Sequence, residues 1–267
     1  MNTIFEKIYV ISMPTYKDRI AFMKDQLNDL GIEYSFIFGT DFDNIKNDSI
    51  DNEIKYPQLF SNKDLKCTGK DFSCTISHYN AVYQAYEFGY NNVLIIEDDV
   101  CFIKDKNFIE KYLINIPEDA DFVTYDPRFW KAEDFYAFRE DLNNCGNSMF
   151  IKDDGQYEFM FGGMLYGIMN RQTMKLYLEN QRKKFCMSDH VNGLFKEVTV
   201  NKYIATQCIC TDQYNILNKF NNLYIEYMNN YNSAYGLNPE DFYQPNEYDM
   251  FERYIPQINN ENANEKH

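Results

Sequence analysis

The residues best placed for chemistry are three consecutive carboxylates, Glu97, Asp98 and Asp99, which follow directly on the apolar run Val93, Leu94, Ile95, Ile96. Two more acids, Asp41 and Asp126, stand just past other short apolar runs, Tyr34 to Phe38 and Phe122 to Tyr125. If each run is a strand of one α/β sheet, Asp41, Asp98, Asp99 and Asp126 all lie beyond the carboxyl ends of strands, where such sheets bind ligands. Like charges gathered there repel and raise one another's pKa values unless a cation lies between them. Oxygen ligands without thiolates suit Mg²⁺ or Mn²⁺ rather than structural zinc, and a diphosphate would complete the shell. That pairing neutralises the charge developing on a departing nucleoside diphosphate. The plainer alternative for Glu97 to Asp99 is a solvated turn or a helix N-cap with acidic neighbours, and the triplet alone does not decide between them.

Histidine is scarce. His267 is terminal, His78 follows Ser77 in the segment Ser73 to His78, and His190 follows Asp189. An isolated histidine is ordinarily a satisfied structural group, but an imidazole beside an acid is also a common last ligand for Mn²⁺, which makes His190 the more suggestive of the two.

The elements that must position these residues can be read from periodicity. Ile8 to Ile11 reads as a buried strand of the parallel type, and a Pro14 turn follows. Ile20, Met23, Leu27 and Leu30 form one stripe of a helix from about Lys17, closed by Gly31. With the strand Tyr34 to Phe38 this makes a βαβ unit. Residues 42–66 read as a long polar loop, Ser73 to Phe88 as a helix stopped by Gly89, and Val93 to Ile96 as a strand. After the strand at Phe122, the stretch up to Tyr157 reads as irregular, polar and aromatic, with Trp130, Phe135, Tyr136 and Phe138 available to stack on a sugar. Met164 to Met169 is a further expected strand and Arg171 to Asn180 a helix with Met174, Tyr177 and Leu178 inward. The expected organisation is one α/β domain over residues 1–215. An Asn- and Tyr-rich extension over 216–267 lacks periodicity, so it should fray and be only partly ordered.

Composition narrows the functions. Hydrophobic residues make up 45% of the 267 residues, so the chain can bury a substantial core. A net charge of -15 sets a field that repels polyanions, which argues against nucleic acid as a partner. Arg182, Lys183 and Lys184, the one basic cluster, read as a solvated helix end, with contact to an anionic acceptor as the alternative. No run approaches the roughly 20 apolar residues of a transmembrane segment, and Glu6, Lys7 and Asp18 interrupt any signal-peptide pattern, so a cytoplasmic location is expected, with a peripheral place at the inner face of a membrane as the variant. Seven scattered cysteines without a C-x-x-C pair are expected to be reduced, mostly buried thiols.

Several motifs in order resemble glycosyltransferase family 25, which includes lipooligosaccharide and collagen galactosyltransferases. The opening strand Ile8 to Ser12 followed by Asp18 and Arg19 is similar to the family's opening, with Ser12 where the family has Asn. Asp71, Phe72, Ser73, Cys74, Thr75, Ile76, Ser77, His78 resembles its Glu-x-Gly-Cys-x-x-Ser-His segment, and Ile96 to Asp99 its Leu-Glu-Asp-Asp. Gly162 to Tyr166 resembles its Gly-x-x-x-Tyr strand, and Asp189 with His190 its later Asp-His. The resemblance implies a GT-A-type fold with a mainly parallel central sheet flanked by helices. It also implies an inverting, Mn²⁺-dependent transfer of a hexose, most commonly galactose, from a UDP-sugar to a glycan or glycolipid. In that frame Asp98, Asp99 and His190 are the metal candidates, and Arg19, Asp41, Glu97, Asp98 and Asp99 line the donor site. Asp189 is the candidate base, and Ser77 with His78 gives support.

Two other readings compete: a catalytically inactive sugar- or metal-binding relative, and a metal-dependent nucleotide-diphosphate hydrolase. The hydrolase would ordinarily need a second metal and more ligands than the sequence offers.

Overall fold

The computed structural model describes residues 1–39, 69–125, 128–129, 132–155, 159–160, 165–183, 195, 199–212 and 239–244. Asp41, Asp126, Trp130, Gly162, Gly163, Asp189 and His190 lie outside these residues, as does the loop expected over 42–66.

Strand β1 (Lys7–Ser12) is buried along almost its whole length, as an apolar run in the interior of a sheet must be. A turn closed by the Tyr16 N–H on Met13 O leads into helix α1 (Lys17–Leu30), and Gly31 ends the helix in the left-handed conformation at φ 67°. Strand β2 (Ser35–Phe38) returns parallel to β1, completing the expected βαβ unit. Helix α2 (Gly69–Glu87) and strand β3 (Val93–Glu97) follow, and β3 lies parallel to β1 on its other side.

Past β3 come β4 (Val100–Phe102), helix α3 (Lys106–Ile114), β5 (Phe122–Thr124) and β6 (Arg128–Phe129). Helix α4 (Ala132–Asn144), β7 (Phe150–Asp153), β8 (Phe159–Met160), β9 (Leu165–Ile168), helix α5 (Arg171–Lys183), β10 (Lys202–Ala205) and β11 (Cys210–Asp212) complete the described elements. The central sheet has seven strands in the order β2-β1-β3-β9-β5-β10-β7. Parallel pairing joins β2, β1 and β3, while β9 is inserted antiparallel between β3 and β5, and β7 closes the far edge antiparallel to β10. The fold is the mixed α/β, GT-A-like architecture expected.

Side chains alternate across this sheet and feed two cores. Tyr9, Ile11, Ile95, Phe122, Tyr166 and Ile168 face the layer of α2 and α5, with Val82, Met174 and Tyr177 from the helices. Ile8, Val10, Leu94, Ile96, Val123 and Leu165 face the layer of α1 and α3, with Met23, Leu27, Ile109 and Leu113. Gly167 in β9 makes one of these contacts possible. A Cβ there would stand 2.6 Å from two carbons of the Phe5 ring and 2.9 Å from Val123. Gly167→Ala is therefore expected to lower unfolding free energy by about 1–3 kcal/mol through overpacking, read from urea denaturation.

Two expectations need correction. The stretch expected to be irregular contains α4, because Phe138 is fully buried and Leu142, four residues on, packs against the core, which is a helical stripe too short to stand out among polar neighbours. Ile20 is only half-buried, and the inward face of α1 instead carries two polar residues, Arg19 and Gln26. Gln26 donates to Val100 O at 2.7 Å and accepts from Phe102 N at 3.1 Å, so its amide takes the place of a missing strand neighbour for β4. Within the extension, the described residues 239–244 pack on the domain: Phe242 is buried, and the Tyr243 and Lys104 N–H groups bond across to Phe102 O and Asp241 O.

Candidate active site

The acidic run sits where β3 ends, and β-alternation decides where each carboxylate goes. Glu97 continues the Val93–Ile95 face and meets α2; Asp98 continues the Leu94–Ile96 face and meets α1. The triplet is thus divided between the two layers rather than gathered on one side.

On the α1 side, Ile11 pairs with Glu97 in the β1–β3 register, so the next residue, Ser12, comes beside Asp98. The Ser12 hydroxyl donates to Asp98 Oδ2 at 2.6 Å, and the Arg19 guanidinium donates to Asp98 Oδ1 at 2.9 Å. Arg19, one turn into α1, is itself buried and lies over the Tyr16 ring, with its centre 5.3 Å from the ring centroid. Burial is the largest influence on Asp98 and pushes its carboxyl up. The Asp99 charge adds to that push, while Arg19 and Ser12 oppose it without cancelling it.

Asp99 differs. Its Oδ2 is 3.9 Å from Arg19, a distance at which attraction persists without a direct hydrogen bond. Its Oδ1 is buried and has no hydrogen-bond partner among the described residues. A buried carboxylate oxygen left without a donor is costly, and a divalent ion with its remaining ligands supplied by substrate oxygens is a chemically apt partner. The residues present therefore fit Mg²⁺ or Mn²⁺.

On the α2 side, His78 is fully buried, its ring stacked on Tyr166 with centroids 5.6 Å apart. Its Nε2 is 2.7 Å from Glu97 Oε1 and its Nδ1 2.8 Å from the Tyr166 hydroxyl. An ionised carboxylate only accepts, so Nε2 carries the proton and donates to Glu97, while Nδ1 accepts from the Tyr166 O–H. Tyr166 and His78 together aim Glu97. Ser77 is also buried, its hydroxyl donating to Ser73 O at 2.6 Å, so both residues sit inside the protein as supports of the strand end.

Gly39, just past β2, packs onto this support: a Cβ there would be 2.9 Å from the Ser77 hydroxyl oxygen and 2.8 Å from Met13 sulfur. From the last turn of α5, the Arg182 Nε donates to the Tyr79 hydroxyl in the middle of α2 at 2.7 Å, so this member of the basic cluster ties α5 to α2 rather than standing free in solvent.

Glu97, Asp98, Asp99, Arg19, Ser77 and His78 all converge on the carboxyl end of β3 and its two flanking helices. Ser12, Cys74, Tyr166 and Gln26 belong to the same neighbourhood, and sequence reading did not assign them a role there. In the β4–β11 register the backbone of Asp212 stands opposite Val100.

This arrangement of a βαβ unit and an acidic run at a strand end has a counterpart in sequence. The model of glycosyltransferase family 25, described as LPS biosynthesis protein, matches residues 5–235, which includes every element of the site. The chain belongs to glycosyltransferase family 25. No curated protein matches it. As a family 25 glycosyltransferase it uses a sugar donor and an acceptor. Among its described residues, no helix is long and apolar enough to cross a membrane.

Proposed function

We propose that this family 25 glycosyltransferase transfers a hexose, galactose first among the candidates, from a UDP-sugar to a hydroxyl of a glycan or glycolipid. The transfer is inverting, depends on Mn²⁺ or Mg²⁺, and takes place in the cytoplasm. The observation that carries the metal-dependent reading is Asp99 Oδ1, a buried carboxylate oxygen without a donor at the end of β3. The bound ion would neutralise charge on the departing diphosphate.

Asp99 is the first ligand in this reading. Asp98 is the second, held next to Asp99 at the strand end by its bonds from Ser12 and Arg19. Arg19 holds Asp98 in place and sets a positive charge beside the donor phosphates. Glu97, fixed by His78, anchors the strand end from which both aspartates project. Asp41 joins the nucleotide pocket and His190 completes the metal shell, both by resemblance to the family. In the transfer, the acceptor oxygen bonds the anomeric carbon from the face opposite the diphosphate as the carbon–oxygen bond to UDP breaks. Asp189 takes the acceptor proton.

The reading is tested by a nucleotide-release assay with a panel of UDP-sugars in Mn²⁺. Release from one donor, abolished by EDTA, is the expected result; release from none of them, or release indifferent to EDTA, would sink it.

A further inference from the structure

The α2 side of β3 carries a second ligand set, on the opposite face of the strand from Asp98. Cys74 and His78 are four residues apart on α2, hence on one helix face, and both reach Glu97. Cys74 Sγ is 3.8 Å and His78 Nε2 2.7 Å from Glu97 Oε1, and all three ligand atoms lie within 4.8 Å of one another. We propose that Cys74, His78 and Glu97 form a site for a borderline-soft divalent cation of the zinc class, distinct from the position of Asp98 and Asp99.

Geometry favours it. Zinc bonds of about 2.0–2.1 Å to nitrogen and oxygen and about 2.3 Å to sulfur place tetrahedral ligands about 3.3 Å (N to O) and about 3.6 Å (S to O) apart. The sulfur–oxygen separation already has that value within a few tenths of an ångström, and the nitrogen–oxygen pair needs only a modest opening. The ring orientation is fixed in advance: His78 stacks on Tyr166, whose hydroxyl lies on Nδ1, the place where a ligating histidine finds its supporting partner. Coordination leaves the imidazole proton on Nδ1 instead of Nε2, where it donates a hydrogen bond to the Tyr166 oxygen as the Tyr166 O–H turns away, and releases the Cys74 thiol proton to solvent. Glu97 and Cys74 are half-buried, which leaves a side open for water as the fourth ligand.

Ligand chemistry sets this site apart from the donor ion. A thiolate with an imidazole selects zinc or cobalt over Mg²⁺ and Mn²⁺, which prefer oxygen alone. Because the ligands come from α2 and from the end of β3, a bound ion clips the helix layer to the strand and stabilises the folded state by linkage.

The test uses the full-length, reduced, metal-free protein and Co²⁺ as the probe. The expected result is one equivalent of Co²⁺ bound with thiolate-to-cobalt charge-transfer absorption, displaced by Zn²⁺, together with a rise of several degrees in the melting temperature on adding Zn²⁺. Cys74→Ser should remove the charge-transfer band and the thermal shift. Glu97→Gln should weaken Co²⁺ binding by about tenfold or more while keeping the band at saturation, which carries the test if the serine variant folds poorly. A wild-type protein that shows no thiolate–cobalt band, or a Cys74→Ser protein that keeps it at full strength, overturns the proposal. The cobalt spectrum decides this whether or not the chain turns over a donor.

Discussion

Asp99→Asn is expected to lower UDP affinity in Mn²⁺ by about 100-fold or more, since loss of a ligand should cost no less than the roughly 10–100-fold typical of residues that merely support one. The sign of its effect on stability is opposite to that of most buried-charge substitutions. Asp99 repels Asp98 across the turn, and its Oδ1 has no donor among the described residues, so the amide relieves repulsion while abandoning no described hydrogen bond of that atom. The melting temperature should stay level or rise slightly. A variant that binds UDP as wild type does would remove Asp99 from the metal site, and one that loses binding only because it unfolds would show that the carboxylate is structural.

Arg19→Met is the second large effect, and it falls on folding. Methionine matches much of the arginine stem in volume but takes away the guanidinium that pairs with the buried Asp98 carboxylate at 2.9 Å. Breaking one side of a buried ion pair costs about 3–5 kcal/mol, because the remaining charge stays desolvated. The same substitution removes the guanidinium that opposes the upward push of burial on the Asp98 carboxyl, so Asp98 will take up a proton more readily. Chemical denaturation should show the loss at neutral pH. A cost below about 1 kcal/mol, typical of exposed pairs, would mean that water reaches Asp98 and that the pair does not hold α1 to the end of β3.

How much of this was legible beforehand follows from how each element is stabilised. The strands around Ile8 to Ile11 and Val93 to Ile96 were readable because both faces are buried and the chain must be continuously apolar. The end of α1 was readable because only a glycine sits comfortably at the φ of Gly31. Glu97, Asp98 and Asp99 could be placed at a strand end for the same reason. Their division between two helix layers was not drawn out, although alternation along β3 carries it.

What escaped reading were the residues whose roles depend on distant partners. Gln26 looks like a solvent-facing position of an amphipathic helix until β4 is set against it, and Arg19, assigned to the donor site by the family resemblance, shows its pairing with Asp98 only once the strand end is in place. His78 could be a capping group, a ligand or a support. Its contacts with Glu97, nineteen residues away, and with Tyr166, eighty-eight away, set it against the end of β3, a placement that sequence separation does not disclose. The inverted strand β9 is also invisible in pattern, since a short buried run reads alike in either direction.

The most direct test of the central claim, that the carboxyl end of β3 holds a diphosphate through a divalent ion, is calorimetric titration of the wild-type protein with UDP in Mn²⁺ and again in excess EDTA. Saturable binding in Mn²⁺ that disappears with the chelator is the predicted result. Equal binding under both conditions, or none in either, would contradict it.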